Sequence, residues 1–258
     1  MLYIAPYKQG SHGARELRRN IPGSRIIRHR NSRFDTRRRR RPPLILNWGM
    51  NEFPFRFQNS RVINRPECVA TATNKLSFLR ALEQSVPHRC PRYWTDRNEV
   101  PENQPVLARR YLRASAGRGV HYSDNREGLV DAPLYVQYIK KVSEFRLHIG
   151  RYDGYNLYFI QQKRRRHDTE DPDWRIRTHD NGFIFAVVNV DGIPDEVAQD
   201  CFTVLDHLGL VFGAFDIIYN RYYDRYYILE LNTAPGLEGS VVYSYADFFR
   251  RIKEVNND

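Results

Sequence analysis

The chain has 258 residues, 41% hydrophobic and 13% aromatic, a composition that excludes a disordered protein and suffices for one large or two modest domains without staples. Forty-one Lys and Arg against thirty Asp and Glu give a net charge of +11, which calls for an anionic counterpart: nucleic acid, a phosphorylated ligand or an acidic polypeptide. Three scattered cysteines, Cys68, Cys90 and Cys201, argue against a zinc site or a disulfide framework, and no apolar run approaches the roughly 18 residues of a membrane span.

Residues 1–65 read as a small α/β unit. LYIAPY, SRIIRH and PLILNWG have strand character, and SHGARELRRN predicts a helix capped by Ser11. Between the last two strands lies RHRNSRFDTRRRRRPP. Arg37 to Arg41 read either as a solvated basic loop ended by Pro42 and Pro43 or as a nucleic-acid arm. Phe34 is the sole aromatic interleaved with the run, which weighs against the arm.

INRPECVATATNKLSFLRALEQSVPHRCP predicts one helical stretch, with Pro66 near its start, Pro87 past its end, and Leu76, Leu79 and Leu82 on one face. It leads into a larger unit, residues 66–258. There PVLARRYL, PLYVQYIKK, EFRLHIGRY and YNLYFIQQKRRR predict strands of one antiparallel sheet. DEVAQDCFTVLDHLGL has helical periodicity and stops at Gly209; SYADFFRRIKEV predicts a final helix.

VFGAFDIIY and YYILEL, joined by NRYYDR, predict a hairpin that sets Asp216 opposite Glu230, on the face that also carries Asn232. Facing carboxylates repel unless a cation lies between them. One candidate is an arginine, making a structural ion pair. The other is a metal, and two carboxylates with an amide carbonyl suit hard Mg²⁺ or Mn²⁺. Earlier in the chain, Arg109 ends a strand just before Ser115 to Gly119, where Gly117 and Gly119 permit close backbone approach to phosphate oxygens.

In order, these parts form a series: a basic residue and Gly-rich loop, VQYI, EFR, a basic strand followed by NG, then FD and ELNTAPG. The series resembles an ATP-grasp enzyme over roughly residues 62–240. It is most similar to the ribosomal-protein glutamate ligase branch, and closer still to phage-encoded ATP-grasp proteins, which share strings such as NWG, NRPE, NK, LVDAPLYV and QQKRRR.

The resemblance implies an α+β ATP-grasp fold: a small α/β N-terminal domain at 1–65, then an ATP-grasp domain at 66–258 with subdomains at about 66–135 and 136–258. It implies ATP as substrate and Mg²⁺ (or Mn²⁺) on Asp216, Glu230 and Asn232. Arg109 stands where the family usually has a phosphate-binding lysine, beside Ser115, Gly117 and Gly119. Gln137, Tyr138 and Ile139 match the adenine hinge, Gln137 replacing a more usual Glu; Glu144 matches the ribose-binding acid and Arg146 follows it. Arg175 and Arg177 match an Arg-x-Asn pair near the transferred phosphate, with Arg177 in place of the Asn; Lys163 and Arg164 lie on a strand of the same cavity.

The implied activity is an ATP-dependent carboxylate–amine ligase working through an acyl phosphate on an amino acid, peptide or protein, an acidic one included. Arg177, Lys163 and Arg146 are its candidate catalytic residues. Thr233 and the amides near Gly236 are expected at the acceptor side, Glu238 at the surface, and His148 and His179 as solvated or capping histidines. A reducing cytoplasm, the host's for a phage-encoded protein, is the expected location. Two other readings remain open: an ATP-grasp kinase of a small acidic or polyol substrate, and a non-catalytic basic protein associated with nucleic acid or a virion.

Overall fold

The structure is a computed structural model and describes residues 1–28, 32–114, 117–187 and 192–256. Its first part holds four strands and one helix: β1 (Leu2–Pro6), α1 (His12–Asn20), β2 (Arg25–Ile26), β3 (Leu44–Trp48) and β4 (Arg61–Ile63). The four strands pair in parallel in the order β2-β1-β3-β4. Ser11 caps α1 by accepting from the Ala14 N–H at 3.4 Å, as its residue type predicts.

The stretch expected as one helix is two, α2 (Pro66–Thr73) and α3 (Lys75–Ser85). Asn74 is extended, with φ −86° and ψ 115°, and its carboxamide oxygen accepts from Leu76 N and Ser77 N, both at 3.1 Å. A side chain that satisfies the orphan donors of a new helix ends the old one and restarts the next in a single residue.

The expected single antiparallel sheet is also two. The first comprises β5 (Tyr93–Trp94), β6 (Val106–Arg109), β7 (Val120–Ser123) and β8 (Leu134–Gln137), in the order β5-β8-β6-β7. The second holds β9 (Ser143–Tyr152), β10 (Tyr155–Arg165) and β11 (Phe183–Val187), then, after α4 (Asp195–His207), β12 (Phe212–Asn220) and β13 (Arg225–Asn232). Its order is β11-β10-β9-β12-β13, and α5 (Val241–Val255) closes the chain. The sheets part between β8 and β9 because that link bonds elsewhere: Tyr138 N donates to Pro105 O, and Val142 N to Tyr219 O.

Alternation along β9 sorts the large sheet's two faces. Phe145, Leu147 and Ile149 join Phe215 and Ile217 in a core covered by α2, α3 and α4. The opposite face packs against α5 and the parallel sheet at its far end, where Trp48 stacks on Phe212 at 5.6 Å and meets Tyr245 and Phe249 edge-on. Its near end, carrying Glu144 and Arg146, opens on a crevice toward β6 and β7.

Two contacts lock the parallel sheet to this body. Buried Asn64, at φ 59°, donates through Nδ2 to Phe212 O at 2.9 Å and accepts at Oδ1 from Val211 N at 2.8 Å; its carbonyl accepts from Asn47 Nδ2. Gly49 has φ +85°, and a Cβ there would lie 2.8 Å from Ala234 Cβ, so the loop after β3 rests directly on the turn after β13.

The arginine run is not a free arm. Thr36 N and Oγ1 both donate to Arg56 O, at 2.8 and 2.9 Å, and Asn59 Nδ2 donates to Arg39 O at 2.9 Å. These bonds pin the segment to the 53–59 stretch.

Candidate active site

The hairpin register pairs Asp216 with Glu230, and a bulge follows at Asp216/Ile217. Pairing of β12 with β9 sets Asp216 opposite Arg146. Arg146 Nε and one Nη donate to the two Asp216 oxygens at 2.7 and 2.8 Å. Glu230 Oε2 accepts from Lys75 Nζ, and its Oε1 accepts from Asn232 Nδ2 at 3.2 Å. The arginine pair weighed at sequence level is therefore present on one carboxylate, and a lysine from the start of α3 answers the other. The sequence signal for Lys75 was the string NK; its partner lies 155 residues away.

The two carboxyls are driven apart in acidity. Burial raises Asp216, and Arg146 offsets this only in part. Glu230, although burial opposes its ionisation, is held well below the usual carboxylate range by Lys75 and then by Arg109. Such a split is expected of facing carboxylates with unequal cation partners. The guanidinium of Arg109, at the end of β6, makes no hydrogen bond or ion pair among the described residues; burial lowers its pKa against the pull of Glu230.

A second layer stands beside this pair. Lys163 on β10 pairs with Glu144 and donates to the Arg177 carbonyl at 2.7 Å. Lys141, which the sequence reading passed over, donates to the Arg175 carbonyl at 2.8 Å and lies 3.9 Å from Glu144. Arg177 donates to the carbonyls of Lys141 and Val142 at 3.1 and 3.4 Å, while its Nε is buried without a partner. Arg175 lies over the Tyr122 ring at 4.6 Å.

These groups surround a cavity of about 680 Å³ between the two antiparallel sheets. Arg109, Gly117, Glu144, Arg146, Lys163, Arg175, Arg177, Asp216 and Glu230 all line it. Gln137, Tyr138 and Ile139 line a smaller hollow of about 40 Å³, which shares the walls Leu107, Arg109, Lys141 and Leu229 with the larger one. Gly117 and Gly119 have φ +71° and +73°; a Cβ on Gly117 would lie 3.0 Å from Thr178 Cγ2, and one on Gly119 would strike Tyr111. The loop thus lies close against the 176–178 stretch, over the cavity. Ser115 falls outside the described residues.

Some expected positions differ. Asn232 touches Glu230 but is not in the cavity wall. Arg164 points away from it, exposed, because strand alternation sends Lys163 and Arg164 to opposite faces. Thr233 is buried, and the wall after β13 is made by Gly236, Glu238, Gly239 and Ser240. His148 is neither solvated nor a cap: fully buried, it joins Tyr245 Oη and Gln161 Oε1 and stacks on Phe159 at 4.2 Å. His179 is exposed at the cavity's edge.

Among the described residues no group of three or more His, Cys, Asp or Glu side chains could hold a metal ion. A hard cation here would rest on two carboxylates and an amide. Asp216 and Glu230 each use two of about four lone-pair sites in the bonds above, so both retain acceptor capacity, and the all-oxygen set suits Mg²⁺.

No protein-family model matches the chain, and no curated protein matches it in sequence. Solved structures do. D-alanyl-alanine synthetase A from Vibrio cholerae superposes with a TM-score of 0.68 at 11% identity, over 100% of this chain and 98% of that one. The ATP-grasp ligase PsnB, complexed with minimal precursor, Mg and ADP, gives 0.62 at 14% over 95% and 96%. A RimK domain protein ATP-grasp from Sphaerobacter thermophilus gives 0.60 at 14% over 96% and 98%. Likeness at such identity speaks to the fold: the chain has the ATP-grasp fold, of α+β class.

Proposed function

We propose that the chain is an ATP- and Mg²⁺-dependent carboxylate–amine ligase. The carrying observation is the cross-strand pair of Asp216 and Glu230, each with a cation partner, in the wall of a basic cavity between two sheets. Two facing buried carboxylates are unfavourable unless an arrangement of positive charge repays them, and the free lone pairs leave room for one more cation. Asp216, Glu230 and Asn232 would hold Mg²⁺ (or Mn²⁺), which when bound supplies neutralisation of phosphate charge.

The residues' own work is binding and charge stabilisation. The adenine edge meets Gln137, Tyr138 and Ile139 where their small hollow joins the larger cavity between Leu107 and Leu229, and Glu144 faces the ribose. Arg109, with no competing ion pair, meets the ATP phosphates together with the backbone of Gly117 and Gly119. A substrate carboxylate attacks the γ-phosphate, giving ADP and an acyl phosphate; an amine then displaces phosphate and leaves an amide. Arg177, Lys163 and Arg146 stabilise the charge that develops during both steps, with Arg175 beside them.

The substrates fitting this reading are an amino acid and a peptide or protein; PsnB carries a precursor in its complex, and Gly236, Glu238, Gly239 and Ser240 are exposed in the cavity wall here. We assign the chain to the ribosomal-protein glutamate ligase branch, near phage-encoded members, with units at 1–65 and 66–258 and the latter dividing around β8. A cytoplasmic location accords with three free cysteines and with no described helix long and apolar enough to cross a membrane.

The test is incubation of the full chain with ATP, Mg²⁺ and panels of amino acids and peptides, reading ADP release and product mass. A product equal to the two substrates less water supports the ligase; a phosphorylated product overturns it in favour of a kinase. Glu230→Gln is expected to abolish ADP formation with an unchanged circular-dichroism spectrum, and full turnover in that variant would remove the metal assignment.

A further inference from the structure

The net charge is not spread over the molecule. Residues 1–65 hold 16 Lys and Arg against 3 Asp and Glu, a net +13; residues 66–258 hold 25 against 27, a net −2. All but Lys8 of those 16 are arginines. The ligase cavity lies in the part that carries no excess, so its chemistry does not account for the N-terminal charge.

Folding also gathers the aromatics that the sequence kept apart. Arg39 lies over Tyr3 and Phe34, at 5.6 and 5.1 Å, and Arg37 over Phe55 at 5.6 Å. Arg37 is paired to Asp35 at 2.6 Å, but Arg38, Arg40 and Arg41 are exposed and make no hydrogen bond or ion pair among the described residues. The Phe55 ring is 66% exposed and borders a groove of about 580 Å³ walled by Phe53, Phe57, Val62 and Arg65. The backbone beneath is pinned by Thr36 and Asn59, so the arginine run is held beside the stretch that carries Phe55.

We infer that the N-terminal unit binds single-stranded nucleic acid, with phosphates on Arg38, Arg40 and Arg41 and a base on the face of Phe55. Unpaired arginines alone would serve any polyanion, an acidic polypeptide included. The ring decides between them: an exposed aromatic beside a line of cations is a stacking platform that a base uses and a carboxylate does not. The groove beside Phe55 gives the next base an apolar wall. The inference stands independently of the ligase reading, since none of these residues lines the cavity.

The test uses the full chain with a labelled oligouridylate or oligothymidylate of about 20 nucleotides, a length of one to a few site sizes. Fluorescence anisotropy is followed between about 50 and 200 mM salt, with a polyglutamate peptide of equal charge as competitor. Affinity is expected to fall steeply with salt. Combined Arg38→Gln, Arg40→Gln and Arg41→Gln should lower the log–log salt slope by about 2, at about 0.7 per lost phosphate contact. Phe55→Ala should weaken binding about tenfold while leaving the slope unchanged. Both variants should keep the wild-type melting temperature, since the altered side chains are exposed. No binding at the lowest salt, an unchanged slope in the arginine variant, or polyglutamate competing equally with Phe55→Ala without effect would each overturn the inference, the last in favour of an acidic polypeptide.

Discussion

Lys141 Nζ is buried against the Arg175 carbonyl at 2.8 Å, with Glu144 at 3.9 Å, and burial pulls its ammonium down from 10.5 to about 8 despite that carboxylate. A depressed lysine is a charge the fold disfavours: below about pH 8 both states are protonated and the penalty is full. Between about 8 and 10.5 the unfolded state holds more protons, so this contribution to stability rises with pH there. The span corresponds to about 3 kcal/mol. Denaturant unfolding of wild type minus Lys141→Met should show that rise; a flat difference would contradict it. His148 behaves the same way lower on the scale. Burial brings its imidazole from 6.5 down to about 3, so stability is lost as pH falls from 6.5 toward 3, when only the unfolded chain takes up the proton. His148→Gln should flatten the acid limb of the stability curve. Neither residue announces this in sequence, because burial is imposed by neighbours that lie far off in the chain.

At the scale of elements, local chemistry that repeats along a strand was readable. Alternation within FGAFDIIY and YYILEL sufficed for the Asp216–Glu230 register, and alternation in SEFRLHIG put Glu144 and Arg146 on one face. The boundary between α2 and α3 was not readable, since Leu76, Leu79 and Leu82 satisfy a helical period whether or not Asn74 interrupts what precedes them. Nor was the division into two sheets, which rests on where the Tyr138 and Val142 amides find partners. Gly49 tests how closely two elements meet. Its φ of +85° and the 2.8 Å approach to Ala234 mean that Gly49→Ala strains the backbone and pushes on the turn after β13. We expect a loss of about 1–3 kcal/mol, measured by denaturant unfolding. Adding Ala234→Gly should recover the steric share but not the conformational one.

At the scale of the whole molecule, the ATP-grasp fold was legible as an ordered series of motifs, while what completes the site was not. Lys75 reaches Glu230 across 155 residues, and the aromatics around the arginine run come from three separate segments. One asparagine has a mechanical meaning at this scale. Asn64 joins the parallel sheet to the start of β12 through both ends of its carboxamide, and Trp48 is wedged against Phe212 beside it. Those two parts therefore form one chassis. The β5–β8 sheet has a small core of its own, around Val100, Val106, Ala108, Leu129 and Tyr135, and also joins the core beneath the large sheet through Leu134 and Val136. It supplies the crevice wall that faces the frame, so a ligand held there bridges the two. Hydrogen exchange should accordingly slow in β6 and β7 when ATP and Mg²⁺ are added and stay unchanged at Asn64 and in β1 and β3; slowing at Asn64, β1 and β3 alone would place the ligand outside the crevice.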